Sequence, residues 1–161
     1  LPPSSAASDV YKRQGEAVGK LTAAETYATA IESLLEEQPV SRSRTALPLI
    51  WHDPLMAANG ATYAGNMLAC LGYHVPVIDP EGTGYPVVTP ETIVEHGITD
   101  LFLSSEPHEF TTAEGEALEA ALQRRTESPP AIHFIDGEDL TWMGSRTAEA
   151  LQRLRSSLTG S

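Results

Sequence analysis

The sequence is poor in cysteine, in basic residues and in long apolar runs. Its single cysteine, Cys70, excludes an internal disulfide and a cysteine-based zinc cage. Lysine and arginine total 10 against 22 aspartates and glutamates, a formal net charge of −12 over 161 residues. A chain this acidic lacks the surface that neutralises phosphates, so nucleic acid is excluded as a partner. No run of 18 apolar residues occurs, and no segment reads as a membrane span. Familiar catalytic signatures are missing too. There is no G-x-S-x-G elbow and no P-loop, and Gly82-Thr83-Gly84 lacks the third glycine and following helix of a dinucleotide loop. What is present is ordinary for a globular domain: 41% hydrophobic and 20% charged residues.

Residues 1–14 have no helical or strand period, and SSAASDVYKRQ resembles a translated sequencing-adapter scar. They are expected to be disordered and are set aside from fold reasoning. Removing Lys12, Arg13 and Asp9 leaves 8 basic residues against 21 acidic, a net charge of −13. If they are a scar, the chain is a fragment whose true start is missing. At the other end, 159–161 read as a frayed tail.

Between these ends the pattern predicts a helix over 22–38, opened by the capping box Thr22–Glu25 and closed by Pro39. A polar linker, 39–45, follows. The chain then alternates. Strands are predicted at 46–51, 75–79, 100–105 and 131–136. Helices are predicted at 60–71, 89–96, from Thr111 onward, and over 145–157. Thr89-Pro90 and Thr111–Glu114 mark two helix starts, and Gly72 and Gly97 mark two ends. Four strands alternating with helices predict a three-layer α/β lobe with a parallel sheet. Pro76 demotes its strand toward an edge.

In such a sheet, ligands bind beyond the carboxyl ends of the strands. The segments leaving those ends are 51–63, 79–86, 104–110 and 136–146. They hold Trp51, Trp142, Tyr63, Tyr85 and Phe110, aromatic walls for a large flat ligand or, equally, caps on the core. They also hold Asp53, Asp79, Glu81, Glu106, Asp136, Glu138 and Asp139. Carboxylates there can bind a cation or act as acid and base, but they are also common turn and helix-start residues. A metal-dependent α/β enzyme using Asp53, Asp79 and Asp136 is therefore the alternative reading. Ser104-Ser105 ends a strand without an elbow around it. Cys70 reads as a structural thiol in mid-helix. His52 and His108 fall on rim segments and can bind a ligand, and His133 reads as a packed or edge residue. Glu91, at the second position of its helix, complements the helix dipole.

Four segments carry a resemblance: LIWHDPLM (49–56), GYPVVTPETI (84–93), DLFLSSEPHEF (100–110) and DGEDLTWMGSR (136–146). In sequence, order and spacing they resemble the C-terminal half of ABC-transporter substrate-binding proteins for cobalamin, haem and iron–siderophore complexes, the type with a helical backbone. The resemblance spans about 16–158. It implies two α/β lobes joined by a long helix, with the ligand between them and no catalytic role. Residues 15–21 would then be a remnant of the first lobe, 22–38 part of the backbone helix and 46–158 the complete second lobe. It further implies a ligand face of Trp51, Tyr85 and Trp142, with Glu138 or Asp139 at the periphery of a corrin or porphyrin. Glu91 matches the glutamate that docks on an arginine of the membrane permease. Implied partners are a small-molecule ligand and an ABC permease with its ATPase, for a periplasmic or lipid-anchored monomer without a cofactor. The ligand would be cobalamin, haem or a ferric siderophore. His52 departs from the pattern, standing where many relatives carry arginine.

Overall fold

In the computed structural model the described residues are 44–141 and 147–159, together with Arg13, Thr22, Glu25, Thr26 and Thr29. Strand β1 (Ala46–Trp51) is followed by the two-residue β2 (Met56–Ala57) and helix α1 (Tyr63–Cys70). Helix α2 (Pro90–Glu95), strand β3 (Asp100–Ser104), helix α3 (Thr112–Gln123) and strand β4 (Ala131–Ile135) come next. Helices α4 (Gly137–Thr141) and α5 (Thr147–Thr159) complete the order. Of the helix expected over 22–38, Thr22, Glu25, Thr26 and Thr29 are helical, as is Arg13 in the segment set aside. The rest of that helix, the 15–21 remnant and residues 39–43 of the linker lie outside the described residues. Among the described residues, no helix is long and apolar enough to cross a membrane.

The sheet order is β2-β1-β3-β4. Strands β1, β3 and β4 are parallel, with Ala46, Asp100 and Ala131 in register, and β2 lies antiparallel beside β1. The α/β class and the count of four strands among the described residues agree with the sequence pattern, but one strand is a different one. Val75–Asp79 forms no strand; a single bridge between Thr45 and His74 links that stretch to the sheet. Pro76 has no N–H to continue a ladder, and its carbonyl accepts from Gly60 N at 3.0 Å instead. The place beside β1 goes to β2, so the sheet is mostly rather than wholly parallel. Pro48 fits inside β1 for a related reason. Its carbonyl faces the β2 side, where it accepts from Ala58 N at 2.9 Å, so its nitrogen faces the same side, past the end of the short ladder.

Alternation along the strands sorts the core onto two faces. Leu47, Leu49, Leu101 and Leu103 pack with Ile93, Ile98 and Leu122 on the α2–α3 side. Ala46 and Phe102 pack with Met67, Leu68, Leu71, Leu140, Leu151 and Leu154 on the α1–α4–α5 side. Each fully buried leucine contributes about 1.5–3 kcal/mol, so a shift of one residue along a strand would forfeit the core. The helix signals at Thr89, Thr111, Gly72 and Gly97 hold: the two threonines are N-caps, Thr111 and Glu114 close a capping box, and the glycines turn with φ of 96° and 60° beyond α1 and α2. Helix α1 begins three residues later than expected, with Thr62 as its N-cap.

The amino ends of the parallel strands meet at one buried carboxylate. Asp100 accepts from Arg44 on both oxygens, from Thr99 Oγ1 at 2.7 Å and from His133 Nε2 at 2.8 Å. Arg44 precedes β1 and its guanidinium lies 5.8 Å over the Tyr73 ring. His133 comes from β4 and also stacks on Phe102. Burial pushes the Asp100 carboxyl up, but hydrogen bonds from His133 and Thr99 and the charge of Arg44 outweigh it and hold the group below its ordinary value.

Removing this carboxylate leaves His133 and Arg44 without their common partner. Asp100→Ala is expected to cost about 3 kcal/mol of stability, the low end for breaking a buried pair, since Arg44 reaches water. Urea unfolding at pH 7 measures it. Because the folded-state pKa is lowered, the stabilisation is full above the unfolded value of about 3.9 and is lost as pH falls through the lower folded value. The gap between wild type and variant therefore narrows as the pH drops below about 4.

Candidate functional site

At the carboxyl end of the sheet, on the α1 side, lies a cavity of about 450 Å³. Ile50, Met56, Ala58 and Ala64 give it apolar walls, Tyr63, Tyr85 and Pro107 give it flat ones, and Thr141 ends α4 at its edge. A concave, mostly apolar space with a few hydroxyls suits an organic ligand. The Tyr63 hydroxyl lies 2.9 Å from Thr147 Oγ1, tying α1 to the start of α5. Tyr85 keeps 47% of its surface exposed although its neighbours Gly84 and Pro86 are buried.

The other rim aromatics divide between two roles. Trp51 is 42% exposed at the end of β1, and its Nε1 donates to the Asp53 carbonyl at 3.1 Å. Phe110 is buried in the α2–α3 core. Between them His52 and His108 stack with centroids 5.7 Å apart, and His108 meets both Trp51 and Phe110 edge to face. Both imidazoles turn Nε2 to Glu114, at 3.7 Å from His52 and 3.1 Å from His108. Glu114 is the capping-box residue of α3. The Thr111 backbone N–H, above all, holds its carboxyl below the ordinary value; burial opposes this, and the Thr111 hydroxyl and the two imidazoles assist. The histidines thus belong to a Trp51–α3 contact on the opposite face from the cavity.

The acids separate as well. Glu138 is half-buried in the first turn of α4, its N–H donating to Asp136 Oδ1 at 2.9 Å. Asp139 is buried, and both its oxygens accept from Arg153 of α5. Its place on the inner face of α4, beside the buried Gly137 and Leu140, turns it into the lobe. Ser104 and Ser105 hold loops together. Ser104 Oγ donates to the Glu106 carbonyl at 2.5 Å, and Ser105 Oγ accepts from Gly137 N at 2.9 Å. A side chain at Gly137 would sit 2.5 Å from Glu106 N, so this crossing needs glycine. Among the described residues, no three His, Cys, Asp or Glu side chains are grouped so as to hold a metal ion. Cys70 is partly buried in α1, and burial pushes its thiol up.

Glu91 stands apart, in the first turn of α2 and exposed. Arg125, just beyond α3, donates to it through Nε and to the Ala121 carbonyl through Nη1. The hydrogen bond from Arg125, above all, holds the Glu91 carboxyl below its ordinary value. Trp142, the remaining expected ligand residue, lies outside the described residues. Helix α4 was not anticipated from the pattern. Its only signal was Asp136 followed by Glu138 and Asp139, an acidic helix start too short to show a period.

No protein-family model matches the chain, and no curated protein matches it in sequence. Solved structures do match in fold. A possible iron-binding (periplasmic solute-binding) protein from Staphylococcus epidermidis aligns over 96% of this chain and 62% of its own, with 15% identity and a TM-score of 0.67. The periplasmic heme-binding protein RhuT from Roseiflexus sp. aligns over 95% and 62%, with 18% identity and a TM-score of 0.65. The periplasmic vitamin B12 binding protein BtuF of Vibrio cholerae aligns over 84% and 52%, with 15% identity and a TM-score of 0.57. The chain therefore shares the fold of periplasmic solute-binding proteins and spans about 62% of the length of the first two.

The Asp139–Arg153 pair joins the buried Leu140 and the Gly137–Ser105 hydrogen bond in fixing α4 beside the cavity. Asp139→Ala is expected to cost about 2 kcal/mol in urea unfolding, less than a fully buried pair because Arg153 is half exposed. Arg153→Ala, which leaves the buried carboxylate uncompensated, should cost at least as much.

Proposed function

We propose that the chain is part of the solute-binding component of an ABC importer, and that it supplies one lobe of a cleft for a cobalamin-like or other tetrapyrrole or iron-chelate ligand. The observation that carries this reading is the tyrosine-walled apolar cavity at the carboxyl end of the sheet, on a fold shared with periplasmic solute-binding proteins. Tyr85 and Tyr63 wall the cavity, and Trp51 and Trp142 are the further aromatic contacts of this reading. Glu138 serves the ligand periphery, and Asp139 acts through Arg153 by holding α4 in place. The component works outside the cytoplasm, periplasmic or lipid-anchored, as a monomer that binds and delivers without transforming its ligand. Residues 15–21, 22–38 and 46–158 are then the remnant of a first lobe, part of the backbone helix and the second lobe. No grouping of carboxylates among the described residues favours the alternative, a metal-dependent enzyme.

Titration of the protein with cyanocobalamin, hemin and ferrioxamine B, followed by absorbance and tryptophan fluorescence, tests the ligand class. Binding of none of them at micromolar concentration overturns it. Tyr85→Ala and Trp51→Ala should each weaken the bound probe about tenfold, since each removes an exposed aromatic contact.

Glu91 is proposed as the docking contact with the permease. Glu91→Ala is expected to leave ligand affinity within about twofold, because Glu91 does not line the cavity, and to lower permease-dependent uptake about fivefold, the scale of losing one exposed charge contact. An unchanged uptake rate refutes the docking role.

A further inference from the structure

Asn59 lies in the loop between β2 and α1 with 1% of its surface exposed. Both ends of its amide are used. Nδ2 donates to the Ile78 carbonyl at 2.7 Å, and Oδ1 accepts from Ala61 N at 2.9 Å. One partner is a carbonyl and the other an N–H, so a single orientation of the amide satisfies both. The Ala61 bond is local, an Asx turn leading toward α1. The Ile78 bond crosses to the segment that begins the Tyr85 loop.

At its two ends the loop is anchored by the burial of Ile78 and Val88 in the α2–α3 core and by Val88 N, which donates to the Leu55 carbonyl at 2.9 Å; between them few contacts hold it. Met56 and Val87 form one isolated bridge, and Ala57 N donates to the Pro86 carbonyl at 3.0 Å. Asn59 N donates to the Gly84 carbonyl at 2.9 Å. Gly84 has φ +88, and a Cβ there would lie 2.8 Å from Thr62 Cγ2, whose hydroxyl donates to the Asn59 carbonyl. Tyr85 therefore stands between two residues whose carbonyls are gripped by residues 57 and 59. The far end of its loop, at Ile78, is gripped by the Asn59 side chain.

We propose that Asn59 is a positioning residue of the ligand face: its buried amide clamps the loop 78–86 to the start of α1 and thereby fixes Tyr85 in the wall of the cavity that Tyr63 also lines. This rests on the reading of Tyr85 as a ligand contact. Asn59 touches no ligand; it acts through the loop. Specificity then resides partly in a residue beneath the surface, since a loosened loop admits ligands of other shapes and binds the right one less well.

The test is Asn59→Asp, which keeps the acceptor for Ala61 N and loses the donor to Ile78, with Asn59→Ala as the uncharged second variant. On the full chain, amide exchange read by mass spectrometry should rise about tenfold in peptides covering 79–86 while β1 and β3 peptides keep wild-type protection. Titration with hemin, cyanocobalamin and ferrioxamine B should show affinity for the bound probe falling about tenfold, and that loss should vanish when Tyr85 is already alanine. Unchanged exchange over 79–86 overturns the proposal. So does an affinity loss that persists in the Tyr85→Ala background, since it would mark Asn59 as acting through general stability. If neither Asn59 variant folds, Gly84→Ala loosens the same loop from its other end and gives the same two readouts. If the wild type binds none of the probes, the ligand reading fails, while the exchange result still decides whether Asn59 holds the loop.

Discussion

At the amino ends of the three parallel strands one buried carboxylate ties together groups from all of them, while the cavity and the exposed aromatics lie at the carboxyl ends. Asp100 collects Arg44 from ahead of β1 and His133 from β4, with Thr99 beside it. A charge in that position is costly unless its partners are all present, so it favours the one alignment in which they meet. Leucine alternation alone fixes which face each strand shows. The ion cluster adds which residue lies opposite which. The amino end of the sheet is thus satisfied internally, and exposed aromatics and a cavity gather at the other end.

That other end is built in two parts divided by the sheet. Tyr85 and the cavity belong to the α1 face, held by loop-to-loop hydrogen bonds around Asn59. Trp51 leans on His108, which joins the group of His52, Phe110 and Glu114 on the α3 face. A flat ligand that touched both aromatics would lie across the strand ends rather than inside either face. The histidine pair then sets the tilt of Trp51 through ring contacts and its tie to a helix cap.

Much of this was legible in the sequence because the signals are local. Thr89-Pro90 and Thr111–Glu114 mark helix starts by bonds formed within four residues, and the runs at 46–51, 100–105 and 131–136 coincide with strands to within a residue. What escaped depends on distance. Val75–Asp79 has the composition of a strand, yet Pro76 denies it a ladder and the two residues of β2 take its place. Asp139 looks like any acid at a helix start until Arg153, fourteen residues on, is seen to hold it. Asn59, in an Asn-Gly pair, reads as a turn residue, and nothing nearby announces that its amide reaches Ile78. The division of the rim aromatics into buried Phe110 and exposed Trp51 and Tyr85 is likewise a property of the packed faces.

Glu91 already has a cation, Arg125, when the lobe is alone. Any arginine arriving from a partner would replace one ion pair with another rather than satisfy a bare charge, so attraction at this point is largely an exchange. An exchange of that kind favours a fixed orientation while adding little to residence time. Were Glu91 to meet a partner as proposed, the contact would guide without gripping, and Arg125 would reclaim the glutamate once the partner left.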